Sequence, residues 1–377
     1  MQSEFDVIVV GVGAMGASAC HHLARRGVRV LGIEQFDIPH NLGSSHGLSR
    51  MIRLAYYEHP DYVALLLRAY ELWHELEAIA GATVLHLTGG LYMGRQGCEL
   101  VHGSHVSAKQ HGLTHELLDA KQIQSRFPQF DVPDDFIGLF EPRAGFLEPE
   151  KAISAFVQSA VLAGAQIHAR EIVQQWSEDS GGVRVQTDRA HYRAQQIVFC
   201  AGAWTSKLVS DLGVPLTITR QPMLWFTPSA PMDFAMGKFP VWAIDRPGGG
   251  IFYGFPTPPG EAGLKAACHF PGSVTDPDRV PRELLESDVQ EVDAALRRYL
   301  PAAAGPLLAH RVCIYTNSPD HHFIIDRHPQ HQRVTLACGF SGHGFKFASV
   351  VGEILADLAM NGRTQLPADF LRLKRFR

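Results

Sequence analysis

The residues best placed to do chemistry stand near the start of the chain. Gly11-Val12-Gly13-Ala14-Met15-Gly16 directly follows the β-branched run Phe5-Asp6-Val7-Ile8-Val9-Val10. A helical stretch from Ala17 to Arg26 comes next, then a second apolar strand, Val28 to Ile33, closed by Glu34. In a strand–turn–helix–strand unit these types have set tasks. Gly11 permits the tight turn, Gly13 lets the backbone approach a pyrophosphate, and Gly16 lets helix and strand pack closely. Free N–H groups and the positive end of the helix dipole receive the phosphates. An acid about twenty residues on, here Glu34, accepts hydrogen bonds from a ribose diol. The unit predicts dinucleotide binding over an ordinary βαβ unit with a glycine-rich turn. FAD and NAD are held alike, so the ligand stays open at this point.

Other groups point the same way. Arg50 and Arg53 lie three apart, which on a helix would put them on one face. Their neighbours Met51, Ile52, Leu54 and Ala55 are apolar. A mostly buried segment is expected, and buried arginines need anionic partners. The strand Gln196 to Cys200 runs into Ala201-Gly202-Ala203-Trp204, a small-residue turn suited to close ligand approach or to plain packing. Near the far end, Gly339-Phe340-Ser341-Gly342-His343-Gly344-Phe345-Lys346 opens a helix over Phe347 to Met360, whose dipole favours a developing anion. His321, His322 and His328 predict a solvated histidine loop rather than a metal centre, and no metal is expected. No nucleophile elbow and no basic–aromatic nucleic-acid surface is visible.

These pieces need a scaffold. A chain of 377 residues has room for two lobes at about 100–200 residues each. A formal net charge of −4 argues against nucleic acid or an anionic membrane as partner. Met1-Gln2-Ser3-Glu4 leads into the first strand without a signal peptide, and no apolar run reaches the ~18–20 residues of a membrane span. The six cysteines show no CxxC pair and no zinc spacing, which suits a reducing cytoplasm. Pro60 to Ala80 reads as a long amphipathic helix whose Tyr62, Leu65, Leu66, Ala69, Tyr70, Trp73 and Leu76 form a core stripe. Thr83 to Met93 reads as strands around a glycine turn. Residues 98–130 carry one or two helices. A helix from Glu150 to Ala163 follows, then a hairpin (Val183 to Thr187, Ala190 to Ala194), the strand ending at Cys200 and a helix from Thr205 to Leu212. From Thr217 the pattern turns to hairpins, with a helix from Pro281 to Tyr299 closing that section, and α/β order returns from Arg311. The expected fold class is α/β: a Rossmann-like domain with an inserted, mostly antiparallel β substrate domain. The division is 1–85, 145–216 and 310–377 for the cofactor domain, and 86–144 and 217–309 for the substrate domain.

Several segments together resemble one family. They are Gly43-Ser-Ser-His-Gly-Leu-Ser-Arg-Met-Ile-Arg53, Tyr253-Gly-Phe-Pro256 with Leu264-Lys265, Cys313-Ile-Tyr-Thr-Asn-Ser-Pro-Asp320, Phe323-Ile-Ile-Asp326 and Gly339 to Lys346. Over nearly its whole length the chain resembles the monomeric sarcosine oxidase family, D-amino-acid-oxidase-like flavoproteins that include N-methyl-L-tryptophan and L-pipecolate oxidases. The resemblance implies FAD, bonded 8α-S-cysteinyl to Cys313, while Cys338 stays structural. It implies oxidation of a secondary amino acid, with a hydride equivalent passing to the flavin. The imine is hydrolysed, and O2 is reduced to hydrogen peroxide. Arg53 and Lys346 match the pair that binds the substrate carboxylate, and Tyr253, His269 and Tyr315 line the substrate cavity. Lys265 matches the lysine beside the flavin face where O2 is reduced, and His46 and Arg50 lie near the ring.

Cofactor contacts extend through Gln35, Gly43, Ser44, Ser45, Val173, Ala201, Gly202, Trp204, Gly342, Gly344 and Phe345. The bacterial sarcosine and N-methyltryptophan oxidases carry His-His-Gly-Asp-Thr-Arg where this chain has Ser45-His46-Gly47-Leu48-Ser49-Arg50. That loop looks more like the peroxisomal-type pipecolate and sarcosine oxidases, although Lys374-Arg-Phe-Arg377 is not a peroxisomal signal. A monomer acting on a small secondary amino acid and O2 is expected. The competing classes are a flavin dehydrogenase with another acceptor, a non-catalytic FAD-binding protein and an NAD-binding protein.

Overall fold

The computed structural model describes residues 3–377; Met1 and Gln2, part of the stretch read for a leader segment, lie outside the described residues. Alternate β-branched residues put Val7 and Val9 on one face and Ile8 and Val10 on the other, all buried. Burial on both faces is the condition for a parallel strand. Ser3–Val10 accordingly lies between the parallel neighbours Val30–Ile33 and His191–Phe199. The eight-stranded sheet is extended by Gln166–His168 on one side and by Gly182–Thr187 and Val173–Asp179 on the other. Val334–Cys338 joins the C-terminal half of His191–Phe199 in parallel and pairs antiparallel with Ile324–Arg327. The two strands read on either side of residue 195 are thus one continuous strand.

The helix Ala14–Arg25 packs against both Pro149–Leu162 and Ala348–Asn361. Small residues permit this. Ala17, Ala19 and Ala24 are buried, and a Cβ on Gly352 would stand 2.6 Å from the Ser18 Cβ. Tyr62–Ala80 packs on Ala348–Asn361 and buries the apolar stripe read from its spacing.

The second sheet has nine strands. Its spine is the long antiparallel pair Thr217–Phe226 and Leu307–Asn317. Leu264–His269, Ile251–Gly254 and Val241–Asp245 continue it antiparallel, and Gly90–Arg95 joins Val241–Asp245 in parallel. Leu307–Asn317 then meets the first sheet's surroundings through a bridge from Asn317 to Phe340. Cys313 and Tyr315, two residues apart, therefore point to the same side at the junction of the two sheets.

One local expectation fails. Arg50–Ile52 is a strand, not a helix; it pairs with Gly145–Leu147 in a three-stranded sheet with Leu85–Leu87. The apolar run Met51-Ile52 fits a short buried strand as well as a helix, and tertiary pairing decides. The strands expected around a glycine turn over 83–93 are Leu85–Leu87 and Gly90–Arg95, on either side of Gly89, and they belong to different sheets. The helices read from Thr205 and Pro281 shrink to Thr205–Leu208 and Glu286–Tyr299. Among the described residues, no helix is long and apolar enough to cross a membrane.

Candidate active site

A cavity of about 330 Å3 opens at the C-terminal end of Ser3–Val10, where ligands sit in open α/β sheets. The glycine turn forms its floor. Gly11 has φ +89°, and a Cβ there would lie 2.5 Å from the Cys200 carbonyl oxygen. A Cβ on Gly16 would lie 1.8 Å from the Gly11 oxygen, so Gly16 is a packing residue and does not line the cavity. Gly13 differs: a Cβ there would find nothing nearer than Ser45 Oγ at 3.9 Å, so its backbone is open to a ligand. Ala14–Arg25 starts with no side-chain cap and no acid in its first turn, which leaves its N–H groups and dipole for an anion.

Glu34 is buried and lines the cavity. Its Oε2 accepts from Val12 N at 2.8 Å and its Oε1 from Phe36 N at 3.1 Å. Burial raises its pKa, and these amides oppose the rise. Each oxygen keeps a lone pair for a diol. Val12, Ala14, Met15 and Gln35 line the same end. Gly43, Ser44, Ser45 and Arg50 come from the loop after Glu34; Val173, Ala201, Gly202 and Trp204 come from the first sheet's far side; Gly342, Gly344 and Phe345 come from the C-terminal glycine loop. The open Gly13 backbone, the uncapped helix start and the buried acid fit an adenine dinucleotide.

A smaller chamber of about 80 Å3 shares Arg50, Tyr315, Gly342 and Phe345 with this cavity. Arg53, Tyr253, His269, Cys313 and Lys346, far apart in the sequence, line it together. Arg53 donates to Glu58 Oε2 at 2.6 Å and to the Ala55 carbonyl at 2.8 Å. Its guanidinium carbon lies 4.4 Å from the Tyr56 ring centroid and 4.8 Å from that of Tyr57. Burial would lower its pKa, but Glu58 and the tyrosines outweigh burial and raise it.

Lys346 donates to the His343 carbonyl at 2.8 Å. Burial, then the Arg53 charge, lower its pKa to about 7 against the pull of Glu58. His269 Nδ1 shares a hydrogen bond with Tyr315 Oη at 3.1 Å, and Tyr315 in turn bonds Tyr253. Burial, with His343 second, lowers His269 to about 3, so its ring is neutral near pH 7. The Cys313 thiol is buried, and Arg50 Nη2 donates to its sulfur at 3.5 Å. It lines the chamber beside Arg50, which borders both cavities. Cys338 is buried in the first sheet's core.

Two expected residues lie outside the chamber. Lys265 is buried, and its Nζ donates to Gly47 O at 2.7 Å, Ser49 O at 2.8 Å and Ser49 Oγ at 3.2 Å. Burial, with Arg50 second, lowers its pKa. Three acceptors still match the three donors of the ammonium form. His46 is 1% exposed, and neither ring nitrogen has a partner among the described residues. Burial, then Arg50 and Lys265, lower it to about 2.

Sequence reading missed Glu58 and His343. Glu58 follows Arg53 by five residues, and the need of a buried arginine for an anion was its only signal. His343 Nδ1 faces Tyr56 Oη at 2.5 Å and Nε2 faces the His321 carbonyl at 2.9 Å. The carbonyl fixes the proton on Nε2. The histidine loop reading is corrected too: His321 is exposed, His322 half-buried and His328 buried.

The family model for FAD dependent oxidoreductases (DAO) matches residues 6–358. Monomeric sarcosine oxidase of Streptomyces avermitilis is 46% identical over 370 residues, 97% of this chain and 96% of that protein. N-methyl-L-tryptophan oxidase of Escherichia coli is 37% identical over 376 residues, 99% and 100% of the two chains. NikD, an unusual amino acid oxidase essential for nikkomycin biosynthesis, superposes with a TM-score of 0.87 at 25% identity over 98% of both chains. L-proline dehydrogenase from P. horikoshii shares the fold, with a TM-score of 0.86 at 22% identity. The chain belongs to the FAD dependent oxidoreductase (DAO) family, within the monomeric sarcosine oxidase group.

Proposed function

We propose that this enzyme oxidises a small secondary amino acid of the sarcosine class, with its FAD bonded to Cys313 and O2 as acceptor. One observation carries the reading. Arg53 and Lys346 are both buried on one small chamber that also holds the Cys313 thiol, and their resident counter-ion is Glu58. Two cations against one carboxylate leave a position for a substrate carboxylate. Arginine offers a planar fork for two oxygens, and lysine a point charge. A chamber of about 80 Å3 favours N-methylglycine over an N-methyl amino acid with an indole.

The flavin supplies the two-electron acceptor and the position where O2 is reduced. The chain supplies orientation. The Tyr253–Tyr315–His269 set holds the amine end, with a neutral imidazole able to accept a hydrogen bond. The Arg50 guanidinium donates to the Cys313 sulfur at 3.5 Å and orients the atom that would bond the flavin. Lys265 places a fixed charge behind residues 47–49, stabilising charge that develops during O2 reduction. The carbonyl-rich grip on Nζ makes Lys265 a positioning group for the loop bearing Arg50 as well.

We further propose a monomer in the cytoplasm, the latter on six unpaired cysteines, and a cofactor part spanning 1–85, 145–216 and 310–377. The test is a peroxide-coupled screen over sarcosine, N-methyl-L-tryptophan, L-pipecolate and glycine. Sarcosine is expected to give the highest kcat/KM. A preference for the primary amine, or no peroxide from any of them, overturns the reading.

A further inference from the structure

The turn joining Ile324–Arg327 to Val334–Cys338 carries His328 and His331. The His328 side chain is 0% exposed, and its Nε2 has no hydrogen-bond partner among the described residues. That nitrogen lies 3.4 Å from Asp211 Oδ1. His331 Nε2 lies 3.0 Å from Asp211 Oδ2, and its Nδ1 lies 3.2 Å from Glu178 Oε2. A neutral imidazole has one N–H and cannot donate to both carboxylates. With the proton on Nδ1 toward Glu178, a lone pair on Nε2 faces a carboxylate, and a cation between them resolves the repulsion.

We propose that Asp211, His328 and His331 bind a divalent ion of the zinc type, with Glu178 orienting His331 from behind. Two imidazoles and one carboxylate are a borderline donor set that suits zinc over calcium or magnesium. Zinc bonds of ~2.0–2.1 Å in a tetrahedron set ligand atoms about 3.4 Å apart; here the imidazole nitrogens stand 3.4 Å from Asp211 Oδ1 and 3.0 Å from Asp211 Oδ2, and one ligand atom from each of the three residues lies within 4.8 Å of the others. A hydrogen bond from His331 Nδ1 to Glu178 is the usual support behind a ligating histidine. Binding asks His328 to carry its proton on Nδ1, so the Gln330 amide gives up its long 3.3 Å contact there. Asp211 is 40% exposed at its side chain, which leaves the fourth position to water. None of the three residues lines the cofactor cavity or the chamber. The ion ties the turn to the segment around Asp211 and, through Glu178, to the strand Val173–Asp179, so its effect falls on stability.

The test uses the holoenzyme, stripped of metal with a chelator and titrated with ZnCl2 alone. Calorimetry is expected to show one zinc per chain with Asp211-dependent affinity. At zinc 100 times Kd, the folding equilibrium shifts about 100-fold toward the native state. Asp211→Asn and His331→Ala, at exposed and half-buried positions that tolerate change, are expected to remove both effects while sarcosine turnover is unchanged. Zinc binding that persists in both variants overturns the site, as does an unchanged wild-type stability. Stabilisation by acid alone, without metal and lost in the same variants, assigns the cluster to a bridging imidazolium and also overturns it.

Discussion

Replacing Glu58 by glutamine separates a reserved carboxylate site from a permanent ion pair. Glu58 Oε2 lies 2.6 Å from Arg53 Nη2, with the two side chains 15% and 6% exposed. Removing one partner of a buried pair costs about 3–5 kcal/mol. Glutamine keeps an acceptor oxygen, and the rings of Tyr56 and Tyr57 still cover the guanidinium, so about 2–3 kcal/mol is expected. At roughly 2 °C per kcal/mol for a large domain, Tm falls by about 4–6 °C. A bound carboxylate restores the missing charge. What the fold loses without ligand then reappears as affinity, about 30- to 150-fold at 1.4 kcal/mol per tenfold. The assay is the Kd of acetate, which cannot be oxidised, by flavin absorbance or calorimetry, together with thermal unfolding at several acetate concentrations. A lowered Tm with an unchanged or weaker acetate Kd would refute the reasoning, because Glu58 would then only neutralise Arg53 and not occupy the substrate's place.

Further outcomes follow from the same geometry. Since burial and Arg53 lower Lys346 to about 7, acetate affinity should fall as pH rises through about 7, and Lys346→Met should flatten that profile. The stability sign is opposite: between about 7 and the ordinary value of 10.5 the unfolded chain holds the extra proton, so this group's contribution to stability rises with pH across that window. Cys313→Ser should yield protein whose flavin is released by acid precipitation, while the unaltered enzyme retains it; release from both removes the covalent bond from the account. Lys265→Met should slow flavin reoxidation by O2 by about 10²–10³ with a smaller effect on reduction by substrate. Equal slowing of both half-reactions reassigns Lys265 to holding residues 47–49.

The cofactor half of the site was legible because its demands are local. A turn, a helix start and an acid at fixed offsets occupy Gly11 to Glu34: Gly11 makes the turn at φ +89°, Gly16 packs against it, and Glu34 accepts from the Val12 and Phe36 amides. The Lys346 and Cys313 positions were legible only through motif resemblance, since nothing in a local pattern brings residue 53 next to residue 346. Arg50 and Arg53 show the limit of periodicity: the apolar pair Met51-Ile52 fits strand and helix alike, and pairing with Gly145–Leu147 decided for strand. Glu58 and His343 were hidden for another reason. Their roles arise from burial beside Arg53 and Tyr56, contacts that depend on how the loop after Arg53 folds over the C-terminal glycine loop. Lys265 was expected beside the flavin, and its three chain-borne acceptors are a tertiary fact with no trace in the sequence.

The central claim, oxidation of a secondary amine with electrons delivered to oxygen, is tested most directly by stoichiometry. Sarcosine is supplied in air without any dye, and oxygen uptake, peroxide and formaldehyde are measured together. Equal amounts of all three are predicted. Formaldehyde that appears only when an artificial electron acceptor is added, with no oxygen uptake, contradicts the account and makes the protein a dehydrogenase.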